Sequence, residues 1–134
     1  VSQENVETLR TAWEAFNTGD PTVFLDRYDQ DILLHVVGQR FMTPGTFVGA
    51  GAVERWFDDF YRSFSRGLQA VPLEFVEAGD SVIVSINQAA KGRVSGAKVE
   101  GRVESIFTFR GGSIIRIDLV ESRNEALKAV GLEE

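Results

Sequence analysis

The sequence predicts an α+β fold: a curved, cone-shaped, mainly antiparallel β-sheet wrapped by three N-terminal helices and followed by a short C-terminal helix. Apolar residues recur at helical spacing through the first half, and the period changes to two beyond Gly67. Helices gathered in one half and a strand meander in the other specify a layered α+β arrangement. The chain has 134 residues and no repeat, low-complexity stretch or linker, so residues 1–134 are expected to form one domain.

Ser2 ahead of Gln3 and Glu4 suits a helix start, with an acid near the positive end of the dipole. Val6, Leu9, Trp13 and Phe16 then make one apolar stripe. Residues 17–21, Asn-Thr-Gly-Asp-Pro, end this helix and begin a short second one carrying Phe24 and Tyr28 one turn apart. Residues 32–37 read as a strand. Residues 38–51 hold four Gly with Phe41 and Phe47, which suggests a long loop and a candidate lid. Over residues 52–64 Val53, Phe57, Phe60 and Phe64 repeat at helical spacing, with Trp56 and Tyr61 on the flanks.

Val71, Leu73 and Phe75 alternate along the next strand, residues 78–81 turn, and Val82, Val84, Ile86 and Gln88 share the face of the strand after it. Residues 91–98 form a hairpin end. Val99, Gly101, Val103, Ser105, Phe107 and Phe109 then share one face, and Glu100, Arg102, Glu104, Thr108 and Arg110 the other. Gly111-Gly112 turns the chain into a last strand on which Ile115, Ile117 and Leu119 alternate with Arg116 and Asp118. Ser122 caps a final helix over residues 124–130, stopped by Gly131.

Composition narrows the function. A net charge of −6 with no basic block argues against nucleic acid as partner. Without Cys, thiol chemistry and thiolate metal sites are excluded, and one His makes a His-based metal site improbable, so no cofactor or metal is expected. No apolar run reaches the ~18 residues of a membrane span, and Val1-Ser2-Gln3-Glu4 lacks the basic and apolar regions of a signal peptide, so no membrane partner and a cytoplasmic location are expected. Ten Phe, two Trp and two Tyr against one Met must line a core, a pocket or an interface.

Three segments carry a family resemblance: residues 13–20, Trp-Glu-Ala-Phe-Asn-Thr-Gly-Asp; the strand, loop and helix start from His35 to Val53; and the hairpin from Phe107 to Ile117. With these the chain resembles the SnoaL-like branch of the nuclear transport factor 2-like superfamily, which includes ketosteroid isomerase and the polyketide cyclases. The resemblance implies a cystatin-like roll with a pocket at the wide end of its sheet, and a homodimer through the sheet's outer face. It does not carry the isomerase's chemistry over. Val36 stands where the general-base Asp is expected, Ala12 at the Tyr position and Ser105 at the oxyanion Asp position. The limonene-epoxide-hydrolase pattern finds only Asp118, with Ile86 and Gln88 at its other positions.

His35 is the natural general acid or base, since imidazole titrates near neutral pH, although strand parity turns it away from the face of Leu34 and Val36. Ser105 and Gln88 interrupt apolar inward series, where an unpaired polar group costs about 1–3 kcal/mol. Each therefore needs a partner: a ligand, a water or the other. Asn87 replaces Gln88 if the strand is bulged. Tyr28 and Tyr61 can donate phenolic hydroxyls, so that His35 as acid/base with Tyr28, Tyr61 or Ser105 as donors to an oxyanion forms the catalytic reading. Trp13, Phe16, Trp56, Phe57, Phe60, Phe75 and Phe107, with Ile117 and with Glu121 at the mouth, are the candidate ligand contacts, although rings of this kind are more often core. The expected function is binding of a hydrophobic small molecule, with isomerase, cyclase or hydrolase chemistry as the enzymatic form. A noncatalytic binding or dimerising domain is the alternative.

Overall fold

The computed structural model describes residues 2–20, 22–37, 43–62, 69–91 and 96–132. Helix α1 (Ser2–Asn17) and the single-turn α2 (Thr22–Leu25) lead into β1 (Tyr28–Val36), β2 (Gly45–Val48) and α3 (Ala50–Arg62). Strands β3 (Gln69–Ala78), β4 (Ser81–Lys91), β5 (Lys98–Arg110) and β6 (Ser113–Val120) follow, and α4 (Arg123–Ala129) closes the chain. The sheet is open, in the order β2-β1-β6-β5-β4-β3, and antiparallel except for the β1–β6 pair.

The stripe of α1 buries Val6, Leu9, Ala12 and Trp13 against the inner face of the sheet. Asn17 pins the end of this helix to edge strand β3. Its Nδ2 donates to the Ala70 carbonyl at 3.0 Å and its Oδ1 accepts from the Ala70 amide at 3.4 Å. Gly19 takes the positive φ of 101° that ends the helix. Asp20 Oδ1 accepts from the Thr22 hydroxyl at 2.5 Å and the Thr22 amide at 3.1 Å, and these bonds hold its carboxyl below the usual carboxylate range.

Tyr28 is not on α2. Strand β6 draws this segment into the sheet: the Ile114 amide donates to the Arg27 carbonyl at 2.7 Å and Tyr28 registers against Ile114, so β1 begins there. Part of the expected loop is also a strand, since β2 pairs with β1 through Leu34↔Phe47 and His35↔Thr46. The other residues of the candidate lid that precede Thr43, including Phe41, lie outside the described residues, as do Phe64 and residues 92–95 of the 91–98 hairpin end.

Two bulges reset strand parity. On β3 the register shifts between Pro72 and Glu74, which leaves Val71 and Leu73 47% and 54% exposed while Ala70 and Phe75 face inward. The expected common face of Val71, Leu73 and Phe75 is thereby corrected. On β6 the shift opposite Thr108 and Phe109 turns Ile114 into the core in place of Ile115.

The sheet's outer face carries a second, smaller core of Ile83, Ile106 and Val120, covered by Ala126 of α4. Ser122 caps α4 by accepting from the Glu125 amide at 3.2 Å. Arg123 ties the same helix to Glu74 on β3 through a two-bond pair, one bond at 3.0 Å, and those bonds lower the Glu74 carboxyl. The pair's contribution is present above the ordinary Glu range and is lost as pH falls through the lowered value; between side chains 38% and 46% exposed it is small. Among the described residues no helix is long and apolar enough to cross a membrane.

Candidate functional site

Between the inner face of the sheet and the helices lies a cavity of about 90 Å³. Helix α1 supplies Trp13 and Phe16, α2 supplies Phe24 and Leu25, and α3 supplies Trp56, Phe57 and Phe60. The floor is made by inward positions of the last four strands: Ala70, Ile86, Gln88, Val103, Ser105, Phe107 and Leu119. Tyr28 at the start of β1 and Glu54 and Asp58 on the flank of α3 complete the lining.

The rings form two sets. Trp13 meets Phe24 edge-on at 4.9 Å and Phe107 at 5.5 Å on one side. On the other, Trp56 crosses Phe57 at 5.0 Å and stacks on Phe60 at 5.5 Å. These are the separations of favourable aromatic pairs. Trp56 is further locked by donating its Nε1–H to the Thr43 carbonyl at 3.0 Å.

The polar positions differ in what they offer. Ser105 is fully buried and donates its hydroxyl to the Val84 carbonyl at 2.9 Å. Its partner is therefore the sheet itself, which takes up its one hydroxyl proton and leaves its oxygen able to accept. Gln88 turns its amide to the cavity and makes no side-chain hydrogen bond among the described residues. Asn87 faces the other way, between Val71 and Arg102, because β4 is unbulged there.

His35 lies on the outer face. Parity holds it there, beside Thr46 and Asp118, with Nδ1 3.0 Å from the Thr46 hydroxyl, so it reaches nothing in the cavity. Phe75 leaves the lining as well: it packs on Trp13 at 6.3 Å and holds the Arg10 guanidinium 4.5 Å over its ring. Ile117 is buried in the main core without lining the cavity. Glu121 is exposed, its amide donating to the Glu125 carboxylate at 3.2 Å. The Tyr61 side chain lies outside the described residues. Glu54 and Asp58 escaped sequence reading because only the apolar stripe of α3 was followed; one turn apart on the flank of Phe57, they are visible once that stripe is widened.

Chemically, the cavity combines ring faces, one phenol, one amide, one hydroxyl acceptor and two carboxylates. Among the described residues no Lys, Arg or His lines it, and no three His, Asp or Glu side chains could hold a metal ion.

A helix-covered open sheet of this order, with a ring-lined cavity on its inner face, is an α+β domain of nuclear transport factor 2-like fold. The chain belongs to the SnoaL-like family, whose domain matches residues 9–117. Similar solved structures cover almost the whole chain. A protein from a soil-derived mobile gene cassette is 23% identical with a TM-score of 0.79, over 96% of this chain and 97% of that one. A putative SnoaL-like polyketide cyclase from Jannaschia sp. CCS1 is 16% identical with a TM-score of 0.76, over 100% and 96%. A hypothetical protein of ketosteroid isomerase-like fold from Catenulispora acidiphila DSM 44928, solved in complex with trimethylamine, is 14% identical with a TM-score of 0.71, over 94% and 93%. No curated protein is similar enough in sequence to match the chain.

Proposed function

We propose that the chain binds a small, largely apolar molecule in the cavity between the helices and the sheet, in a cofactor-independent domain of isomerase or cyclase type. The observation that carries this is the ring-walled cavity floored by Gln88 and Ser105. Apolar walls with a few placed polar groups are how small-molecule sites combine affinity with orientation. Tyr28 is the candidate hydrogen-bond donor to a ligand carbonyl. The ligand-bound relative supports the same use of this fold.

The test is an NMR titration with 3,3-dimethyl-1-butanol, a compact apolar probe with one hydroxyl. Shifts are expected at the Trp13 and Trp56 indoles and the Gln88 amide. Val103→Phe, which places a ring in the cavity, should weaken binding at least tenfold while costing about 1–3 kcal/mol of stability for overpacking. Shifts scattered over the surface, or undiminished binding by the variant, would remove the pocket reading.

Homodimerisation belongs to the same proposal, through the part of the outer face that α4 leaves open. Val71 and Leu73 are exposed there, with Val71 in register with Asn87, and give that surface apolar area to bury. Sedimentation of the intact chain is expected to give a dimer that Leu73→Lys dissociates; a concentration-independent monomer excludes it.

A further inference from the structure

We infer that the cavity takes an organic cation, a compact alkylammonium group, in preference to a neutral or anionic molecule; this rests on the cavity being the ligand site. Three independent features of the lining converge on it.

The first is the walls. Trp13, Phe24 and Phe107 stand on one side and Trp56, Phe57 and Phe60 on the other. An aromatic face is negative and its edge positive, so a cation within ~6 Å of a ring centre is attracted. Trp13 is perpendicular to Phe24, at 90°, and Trp56 nearly so to Phe57, at 85°. Rings crossed in this way offer faces in several directions, which suits a tetrahedral ammonium better than a flat neutral molecule. The same aromatic cluster already holds one cation, Arg10 over Phe75 at 4.5 Å.

Charge is the second feature. Glu54 and Asp58 line the cavity one turn apart on α3, and neither makes an ion pair or side-chain hydrogen bond among the described residues. Like charges at this spacing oppose the helix that carries them. Arg55, next in sequence to Glu54, lines a different groove with Asp59. Both residues are exposed, so the pair adds a solvent-screened negative potential to a lining that contains no cation among the described residues, which disfavours an anionic ligand. The chain's net charge of −6 favours cation approach at longer range.

Size is the third. A volume of about 90 Å³ falls well below the ~300 Å³ at which drug-sized pockets begin. It admits a head group of a few heavy atoms and not a fused polycycle. Gln88 adds an amide oxygen that can accept from an N–H of a primary, secondary or tertiary ammonium, and the rings suit methylated ones.

Calorimetric or NMR titration of the intact chain with choline, and with its neutral isostere 3,3-dimethyl-1-butanol, tests this. Choline is expected to bind at least tenfold tighter than the isostere and to weaken as salt rises. The Glu54→Gln/Asp58→Asn double variant removes the like-charge pair without breaking an observed contact; it should lower the ratio of choline to isostere affinity at least tenfold. Equal affinity for the two probes, preference for the isostere, or a double variant that keeps the parent's ratio would each overturn the inference. Isostere binding that Val103→Phe abolishes, together with charge-independence, would refute the cation inference while upholding the pocket. Absence of binding by either probe would overturn both.

Discussion

Trp13→Ala is expected to lower the unfolding free energy by about 3–5 kcal/mol, the range for removing a buried aromatic side chain. Trp13 is only 5% exposed and contacts Phe24, Phe75 and Phe107 at ring separations of 4.9, 6.3 and 5.5 Å. It borders the cavity, so its removal enlarges a space that the surrounding backbone cannot close. That argues for the upper part of the range, since the cost grows with the void left behind. Urea unfolding should show the midpoint falling with an unchanged slope, and choline binding should be lost with it. Trp13→Phe keeps an aromatic face and should recover much of both. A loss below about 1 kcal/mol for Trp13→Ala would mean that α1 is not held on the sheet through this ring.

The second large effect concerns the opposite side of the sheet. Glu104 is 3% exposed on the outer face, where its carboxylate accepts from the Ser85 hydroxyl at 2.5 Å and from Arg102 Nε at 2.8 Å. Glu104→Ala is expected to cost about 2–3 kcal/mol, because the buried Ser85 hydroxyl loses its partner and a charge-assisted bond disappears. The Arg102 side chain is 50% exposed and stays hydrated, which keeps the cost below that of stranding a buried charge. Ser85→Ala/Glu104→Leu should recover most of the loss, since two apolar groups would extend the neighbouring Ile83, Ile106 and Val120 core. Chemical denaturation of the single and double variants reads the difference. A double variant as unstable as Glu104→Ala would mean that the carboxylate holds the strands by more than these two bonds.

Much of the architecture was legible because periodicity is a local property. The stripe of Val6, Leu9 and Trp13, the alternation of Val82, Val84 and Ile86, and the Ser122 cap each depend on residues within a turn or two of one another. Parity carried a functional statement as well, by turning His35 away from Leu34 and Val36, and the structure has it outside. Parity failed where a distant strand inserted a bulge: nothing local to Val71, Leu73 and Phe75 reveals that Leu73 is skipped in the pairing with β4. Tyr28 was misplaced for a related reason. Its segment is compatible with helix, and only the parallel partner β6 makes it strand.

The candidate site was legible as ring types and less so as a list. Trp13, Phe16, Trp56, Phe57, Phe60, Gln88 and Phe107 come together around the cavity, whereas Phe75, Asn87, Ile117 and Glu121 do not. An inward-facing position is a consequence of strand phase, but reaching one cavity among many inward positions depends on which helix lies above it. Glu104 shows the converse: it alternates with apolar residues on the outer strand face, and only the packing around it makes it a buried charge.

The sequence by itself determined the layer order, the helical and alternating stripes, the excess of rings and the lack of thiol chemistry, since all of these follow from composition and short-range spacing. Only the tertiary structure decided which rings enclose a cavity, that Glu54 and Asp58 line it, that the Ser105 hydroxyl is committed to Val84, and that α4 covers part of the outer face. Each of these depends on the relative placement of elements far apart in the chain, and strand phase or helix spacing carries no information about that placement until the elements pack.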